Sequence, residues 1–193
     1  MGNGGRANYV WTDLGLLGWD SIFFGGGVVR RWGRYEECFA SCPQGVGHKV
    51  FKKECMVGLQ DKPLITTVIP THRRPRLLRR AILSALSQTY SNILVCVYDN
   101  ASGDETEAMV AAIARSDGRV RYFKHAENIG YVDNFIHGIR EVTTPYFSIL
   151  SDDDVLTPQF YEVAMVGFLQ HPSAMFSALD VVKISDSNAI LAG

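Results

Sequence analysis

The 193-residue sequence lacks an excess of charge of either sign and is poor in cysteine. Its 19 Lys and Arg residues against 20 Asp and Glu residues give a formal net charge of −1, which gives no support for a nucleic-acid or anionic-membrane partner. Four cysteines do not make a disulfide framework in a chain of this length. We therefore expect a cytoplasmic, reducing location and no nucleic-acid partner.

Long apolar runs and several catalytic signatures are also missing. The most apolar early stretch, residues 14–29, is short, rich in glycine and broken by Asp20, so we expect no transmembrane segment. No basic-then-apolar signal segment opens the chain. No glycine-rich phosphate loop and no Ser-His-Asp or Cys-His nucleophile pattern stands out. A hydrophobic content of 47% is then typical of an ordinary globular domain.

Composition changes sharply near residue 56. Residues 1–55 hold eleven of the eighteen glycines and all three tryptophans, and no apolar period persists there. We expect a poorly ordered Gly-rich extension over 1–55 and one folded domain over 56–193. The segment from Met56 has the pattern of a natural protein start, so residues 1–55 are interpreted as an upstream extension or a mistaken start, or else as a genuine but poorly ordered lead segment. An alternative for it is a zinc site built from Cys38, Cys42, His48 and Cys55, although the usual doublet spacing is absent.

From Met56 onward, strand-like runs alternate with helical patterns. Strands are predicted at residues 64–69, 93–98, 120–124 and 146–150, with a hairpin from residue 179. Helices are predicted from Pro75, from a capping box formed by Ser102 and Glu105, around Val132, and from Thr157 with Pro158 at the first helical position. The alternation predicts a doubly wound α/β sheet whose ligands lie at the carboxyl ends of the strands.

Polar clusters follow three of these predicted strands. Pro70 is predicted to end the first strand, and the Thr71 hydroxyl beyond it to hydrogen-bond a flat polar ligand, unless the segment is a plain loop. After the second strand, Asp99 at the strand tip is predicted to accept an N–H from a base edge, whereas Ser102 and Asp104 favour a helix start. One rim of one sheet would collect all three clusters.

The third cluster contains three consecutive aspartates. If the strand continues, Asp152 and Asp154 share one side and Asp153 faces the other. Two carboxylates at this spacing suit Mg²⁺ or Mn²⁺, which takes oxygen ligands and substrate phosphates. The alternative is a favourable placement of acids before a helix N-terminus, which explains one aspartate better than three.

A loop between the second and third clusters also carries polar residues. Asn128 and Gly130 suit unusual backbone angles, and Asn134 is polar on an otherwise apolar helix. The histidines show no ligand spacing and are interpreted as surface or loop residues.

The order of "PLITTVIPTHRRPRLLRR…VCVYDNASGDET", "ENIGYVDNF" and "YFSILSDDD" resembles the family-2 glycosyltransferases over residues 60–190. The resemblance implies a GT-A-like, Rossmann-like, mostly parallel sheet. It also implies transfer of a sugar from a nucleoside-diphosphate sugar, UDP or dTDP most often, with inversion and a divalent cation. Cell-envelope polysaccharide biosynthesis and a place at the inner face of the membrane are further implications.

The resemblance also implies residue roles. Pro70 and Thr71 match the motif near the nucleotide, Asp99 matches the acid that reads the base, and Asp152 and Asp154 match the DxD motif. Asp154 is expected to bind the metal, with Asp152 as metal ligand or on the ribose side. The remaining expected donor-site residues are Arg73, Asn100, Asn128, Gly130, Asn134 and Asp153.

Two departures and one gap accompany the resemblance. His72 and Arg73 replace the commoner aromatic–Asn pair, and Ser151 stands where many members have an acid. The general base and the acceptor pocket come from a later region in this family, so we expect this chain to lack them. The acceptor, whether a saccharide, a lipid-linked sugar or a protein, is left open. The alternative function is a non-catalytic nucleotide-sugar-binding fragment, and a nucleotidyltransferase is a weaker option.

Overall fold

A computed structural model describes residues 27–30 and 62–179, which form a mixed six-stranded sheet with helices on both faces. The strands are β1 (Gly27–Arg30), β2 (Ile65–Thr71), β3 (Ile93–Asp99), β4 (Val120–Lys124), β5 (Tyr146–Ile149) and β6 (Phe176–Ala178). The helices are α1 (Pro75–Leu86), α2 (Thr106–Ser116), α3 (Tyr131–Arg140) and α4 (Phe160–Gln170). The strand order is β4-β3-β2-β5-β1-β6.

The parallel part of the sheet confirms the predicted doubly wound arrangement. β4, β3, β2 and β5 pair in parallel, so their carboxyl ends lie at one rim. Ile65 and Ile69 of β2 pack into the larger core with Leu78 of α1, Val110 of α2 and Phe160 of α4. Alternate residues of the same strand face the opposite side, where β2 lies against α3. Burial on both faces explains the continuous apolar and β-branched runs of these strands.

Helix α1 forms as its pattern predicts. Pro75 stands at the start, where its missing N–H costs nothing and its fixed φ suits a helix. The apolar stripe of Leu78, Ala81, Ile82 and Ala85 is buried against the sheet. The helix therefore begins directly after the polar loop that follows β2, and it holds that loop at the rim.

Three predicted boundaries are wrong. β2 continues through Pro70 to Thr71, because the β2–β5 ladder ends at Val68 and the missing N–H of Pro70 breaks no bond. Ser102 and Glu105 form no capping box; instead the Thr106 amide donates to Asp104 Oδ1 at 2.9 Å.

Helix α4 begins at Phe160 rather than at Pro158. The carbonyl of Pro158 accepts a hydrogen bond from the Thr89 amide at 2.8 Å, so it turns towards the end of α1 instead of starting a helix. No side-chain cap involves Thr157.

The N-terminal segment contributes a strand that the sequence analysis did not predict. β1 pairs antiparallel with both β5 and β6, with Val28 opposite Ser148 and Ser177. The expectation of poor order is therefore corrected for Gly27–Arg30. The other residues of 1–55, including the zinc alternative, lie outside the described residues, and the boundary near residue 56 stays a prediction.

The structure adds a short strand, β6, directly before the predicted C-terminal hairpin, and the sequence analysis did not predict this strand. Residues 180–193 of the predicted hairpin lie outside the described residues. Within 27–30 and 62–179, no helix combines the length and apolar character that a bilayer crossing requires.

We expect Gly138→Ala to destabilise the protein by about 1–3 kcal/mol, because overpacking outweighs the better helix propensity of alanine. A Cβ at this position of α3 would lie 2.7 Å from Val68 Cγ1 and 3.0 Å from Tyr98 Cδ2. Urea unfolding measures the change. Gly118→Ala is the matched control, since a Cβ there meets no atom within 4 Å. Equal stability of the two variants would contradict this packing.

Candidate functional site

The carboxyl ends of β2, β3 and β5 meet at one rim of the sheet. The Asn100 amide after β3 donates to the Thr71 carbonyl at the end of β2, at 2.9 Å. The Thr71 hydroxyl donates to Asp152 Oδ2 after β5, at 2.7 Å. The structure therefore brings together the three polar clusters that the sequence places at strand ends.

Asp152 is the buried member of the aspartate triplet. It is 5% exposed, and its second oxygen, Oδ1, accepts from Arg74 Nη1 at 3.1 Å. Burial raises the pKa of Asp152, and the donors Thr71 and Arg74 oppose that rise. Both carboxylate oxygens of Asp152 therefore already accept a hydrogen bond from the protein.

Arg74 is a site residue that the sequence analysis missed. Its Nη1 atom lies 3.1 Å from Asp152 Oδ1 and 3.1 Å from Asp153 Oδ2, so one guanidinium bridges two neighbouring carboxylates. Arg73, which was expected at the site, instead donates from Nε to the Ser102 carbonyl at 3.1 Å. The two consecutive arginines, Arg73 and Arg74, indicate a positive charge near the end of β2, but the sequence does not show which of them contacts the aspartates.

Asp154 differs from its two neighbours because no described residue donates a hydrogen bond to its carboxylate. Burial, followed by the charges of Asp153 and Asp152, raises its pKa from 3.8 to about 7. A half-buried carboxylate beside two others favours a proton or a cation. No group of three or more His, Cys, Asp or Glu side chains forms a metal site among the described residues. The carboxylate oxygens of Asp154 and its two neighbours are of the hard type that a divalent cation takes as ligands.

Asp99 lies under the rim rather than projecting from it. It is 1% exposed, and its Oδ1 accepts from the Ser102 hydroxyl at 2.5 Å and the Ser102 amide at 3.0 Å. Its Oδ2 accepts from the Tyr122 hydroxyl at 2.5 Å, and burial followed by this bond raises the pKa of Tyr122. Ser102 therefore donates to the carboxylate of Asp99 and does not cap α2, so its predicted role at the start of that helix is wrong.

A side-chain amide network joins β3 to the loop before α3. Asn100 Nδ2 donates to Asn128 Oδ1 at 2.9 Å and to the Gly130 carbonyl at 3.1 Å, and Asn100 Oδ1 accepts from the Ile129 amide at 2.9 Å. Gly130 has φ of 92°, a region that favours glycine, which agrees with the unusual angles predicted for this loop.

Two further polar residues near this loop, Asn134 and His72, have buried polar atoms. Asn134 is 3% exposed and is bound to the Tyr98 carbonyl at 3.0 Å and to His125 Nε2 at 3.0 Å, so it ties α3 to the sheet. His72 lies in the loop after β2, within the surface-or-loop interpretation, and its Nδ1 is buried with no hydrogen-bond partner in the described part of the chain. Its Nε2 lies 3.4 Å from Asn128 Nδ2.

Comparison with known proteins gives a family match. Residues 66–189 match the family model described as Glycosyl transferase family 2. An uncharacterized glycosyltransferase of Rickettsia bellii is 39% identical over 112 residues, which are 55% of this chain and 16% of that protein. A Campylobacter jejuni GalNAc(5)-diNAcBac-PP-undecaprenol beta-1,3-glucosyltransferase is 30% identical over 95 residues, 49% of this chain and 31% of that protein. The chain matches less than a third of the length of either relative.

Solved structures show the same fold. A mannosyltransferase from Pyrobaculum calidifontis in complex with GDP-Man and Mn²⁺ has a TM-score of 0.53 and 21% identity, over 60% of this chain and 34% of that chain. S. aureus TarS 1-349 in complex with UDP-GlcNAc has a TM-score of 0.52 and 15% identity, over 56% of this chain and 32% of that chain. These likenesses confirm the expected GT-A-like architecture.

We expect Asp154→Asn to flatten the pH dependence of stability of the metal-free protein. The folded pKa of about 7 lies above the unfolded value of 3.8, so the native state binds more protons in this window and the free energy of unfolding falls as pH rises. Asparagine does not titrate. Thermal unfolding in EDTA should show equal midpoints for the two proteins at about pH 4 and a higher midpoint for the variant at about pH 8. If the midpoints of the two proteins changed in parallel with pH, the raised pKa of Asp154 would be contradicted. The charged groups near this carboxylate are Asp152, Asp153 and Arg74.

Proposed function

This chain belongs to glycosyl transferase family 2, and we propose that the rim formed by β2, β3 and β5 binds the nucleoside-diphosphate-sugar donor of a glycosyl transfer. The observation that carries this proposal is the convergence of three polar strand ends, joined by the Thr71–Asp152 and Asn100–Thr71 hydrogen bonds. Ligands of open α/β sheets bind at such a rim.

The proposal assigns the diphosphate to the side of the aspartate triplet. Asp154 is the metal ligand, with Asp152 as a second ligand or a neighbour of the ribose, because Asp154 alone of the three accepts no hydrogen bond from the residues that the structure describes. Mg²⁺ or Mn²⁺, when bound, would stabilise the negative charge that develops on the leaving diphosphate. Arg74 holds Asp152 and Asp153 in place and keeps a positive charge beside the same group. The Mn²⁺ of the P. calidifontis mannosyltransferase complex supports this choice of cofactor.

The nucleotide is assigned to the side of β3 and the loop before α3. A carboxylate offers about four lone-pair positions, and Asp99 uses three of them on Ser102 and Tyr122, so one remains for a base N–H. Ser102 and Tyr122 thereby fix the orientation of the acid that reads the base. The other residues assigned to the nucleotide are Pro70, Thr71, Arg73, Asn100, Asn128 and Gly130, with Asn134 in support.

The donor is proposed to be a UDP- or dTDP-sugar, transferred with inversion. UDP-GlcNAc in the TarS complex supports a uridine nucleotide, and GDP-Man in the archaeal complex makes a guanosine nucleotide the alternative. The acceptor and its general base are not assigned to residues of this chain. A lipid-linked acceptor in cell-envelope synthesis, at the inner face of the membrane, is supported by the undecaprenol in the name of the C. jejuni relative.

We expect UDP or dTDP to raise the thermal midpoint by about 5–10 °C at about 100 times its Kd, and only when Mn²⁺ or Mg²⁺ is present. Asp154→Asn should remove this shift, because the metal loses the carboxylate that accepts no hydrogen bond from any described residue. Differential scanning fluorimetry with a panel of nucleoside diphosphates, with and without metal, measures it.

Glu141→Gln is the matched control for this test. It removes one negative charge from an exposed position at the opposite end of α3, so the metal-dependent shift should survive. A shift of the same size without metal and in Asp154→Asn would contradict the assignment of the metal site to Asp154.

A further inference from the structure

The loop after β2 passes through Arg73 in an unusual backbone conformation. Arg73 has φ of 55°, in the left-handed region that costs free energy for any residue with a Cβ. Ala101, in the loop after β3, also has φ of 55°. Such residues persist only where the surrounding contacts hold them, and they cluster at functional sites. The contacts between these two loops therefore bear on the function of the rim.

Two hydrogen bonds join Arg73 to a single residue of the neighbouring loop, Ser102. The Arg73 amide donates to the Ser102 hydroxyl oxygen at 2.8 Å, and Arg73 Nε donates to the Ser102 carbonyl at 3.1 Å. Ser102 is 2% exposed, whereas Arg73 is an exposed residue. Arg73 thus binds a buried serine at two points from the protein surface.

These bonds fix the direction of the Ser102 hydroxyl. Its oxygen accepts the Arg73 amide, and its single proton is donated to Asp99 Oδ1 at 2.5 Å. The Ser102 amide donates to the same carboxylate oxygen at 3.0 Å. A chain of hydrogen bonds therefore runs from Arg73 through Ser102 to the carboxylate that is assigned to the base.

We propose that Arg73 is a positioning residue for recognition of the nucleotide base, and that it acts through Ser102 rather than on the ligand. The inference rests on the proposed function, in which Asp99 has one lone-pair position left for a base N–H. A carboxylate with one open position reads a single N–H well only if its orientation is fixed. Because Arg73 holds Ser102 at two points, it keeps the open position of Asp99 in one orientation.

Base recognition of this kind separates two classes of nucleotide. Uracil and guanine carry a hydrogen on the ring nitrogen beside a carbonyl, whereas the corresponding ring nitrogens of cytosine and adenine carry none and only accept. The open position of Asp99 therefore favours UDP over CDP, or GDP over ADP. Loss of the bond from Arg73 Nε should reduce this preference without changing the contacts of the diphosphate.

The test is isothermal titration of the full chain in Mn²⁺ with UDP, CDP, GDP and ADP. Arg73→Gln places a neutral N–H donor at the same number of bonds from Cα as Nε, and Arg73→Met has a similar length without a donor. Both keep a Cβ, so the backbone strain at this position is unchanged. Arg76→Met is the matched control, since Arg76 is an exposed arginine of α1. Ligand-free thermal midpoints check that each variant is folded.

Wild type should bind UDP at least about tenfold more tightly than CDP, or GDP more tightly than ADP by the same factor, as a hydrogen bond to a charged group predicts. Arg73→Met should reduce this ratio about three- to tenfold and change binding of CDP or ADP by less than about twofold. Arg73→Gln should keep the ratio within about twofold of wild type, because its amide replaces Nε at the Ser102 carbonyl. Arg76→Met should bind all four ligands as wild type does.

Three results would overturn the positioning role alone, with base preference in wild type intact. An unchanged ratio in Arg73→Met would mean that Ser102 is held without Arg73. An equal loss for both members of a nucleotide pair would mean that Arg73 binds the diphosphate. A loss in Arg73→Gln as large as in Arg73→Met would mean that the charge of Arg73 acts, and not its bond to Ser102.

Two further results concern the proposed function itself. If wild type binds diphosphates but prefers neither UDP over CDP nor GDP over ADP, the assignment of Asp99 to the base is overturned, and the role of Arg73 with it. If no diphosphate binds wild type, the donor site as a whole is overturned.

Discussion

The carboxylate of Asp152 is buried at the junction of β2, β5 and α1, and a buried carboxylate is costly unless donors meet it. The Thr71 hydroxyl and the Arg74 guanidinium meet it from two sides of one loop, so the strand end, the start of α1 and the turn after β5 hold one another in position. Arg74 also pairs with Asp153, whereas the carboxylate of Asp154 accepts no hydrogen bond within residues 27–30 and 62–179. The charge of Asp154 is therefore costly, as its raised pKa indicates, and this residue favours a proton or a cation.

The buried carboxylate at the end of β3, that of Asp99, is stabilised by a different kind of donor. Asp99 is held by the neutral donors Ser102 and Tyr122, whereas the acids after β5 are held by a cation. In the proposed donor site, the end of the rim at Asp99 is assigned to the base and the end at the aspartate triplet to the diphosphate with its metal.

Sequence patterns predicted the parts of this arrangement that depend on local chemistry. The apolar stripe of α1 after Pro75 and the β-branched runs of β2 and β3 were confirmed, because periodicity and burial are encoded within each segment. The pairing of Ser102 with Asp99 was missed, since a serine three residues before an acid at position 105 also fits a capping box. Arg74 meets Asp152 across 78 positions and β1 pairs with β5 across more than 100, and no local pattern reports such contacts.

The central claim is that Asp154 holds the divalent cation of a donor site. Anomalous diffraction from crystals grown with Mn²⁺ and UDP tests it most directly, since the manganese signal locates the ion independently of any assumed ligand set. We expect one strong anomalous peak at coordination distance from an Asp154 oxygen, with diphosphate oxygens completing the coordination shell of the manganese ion. A peak elsewhere, or bound UDP with no manganese at Asp154, would contradict it.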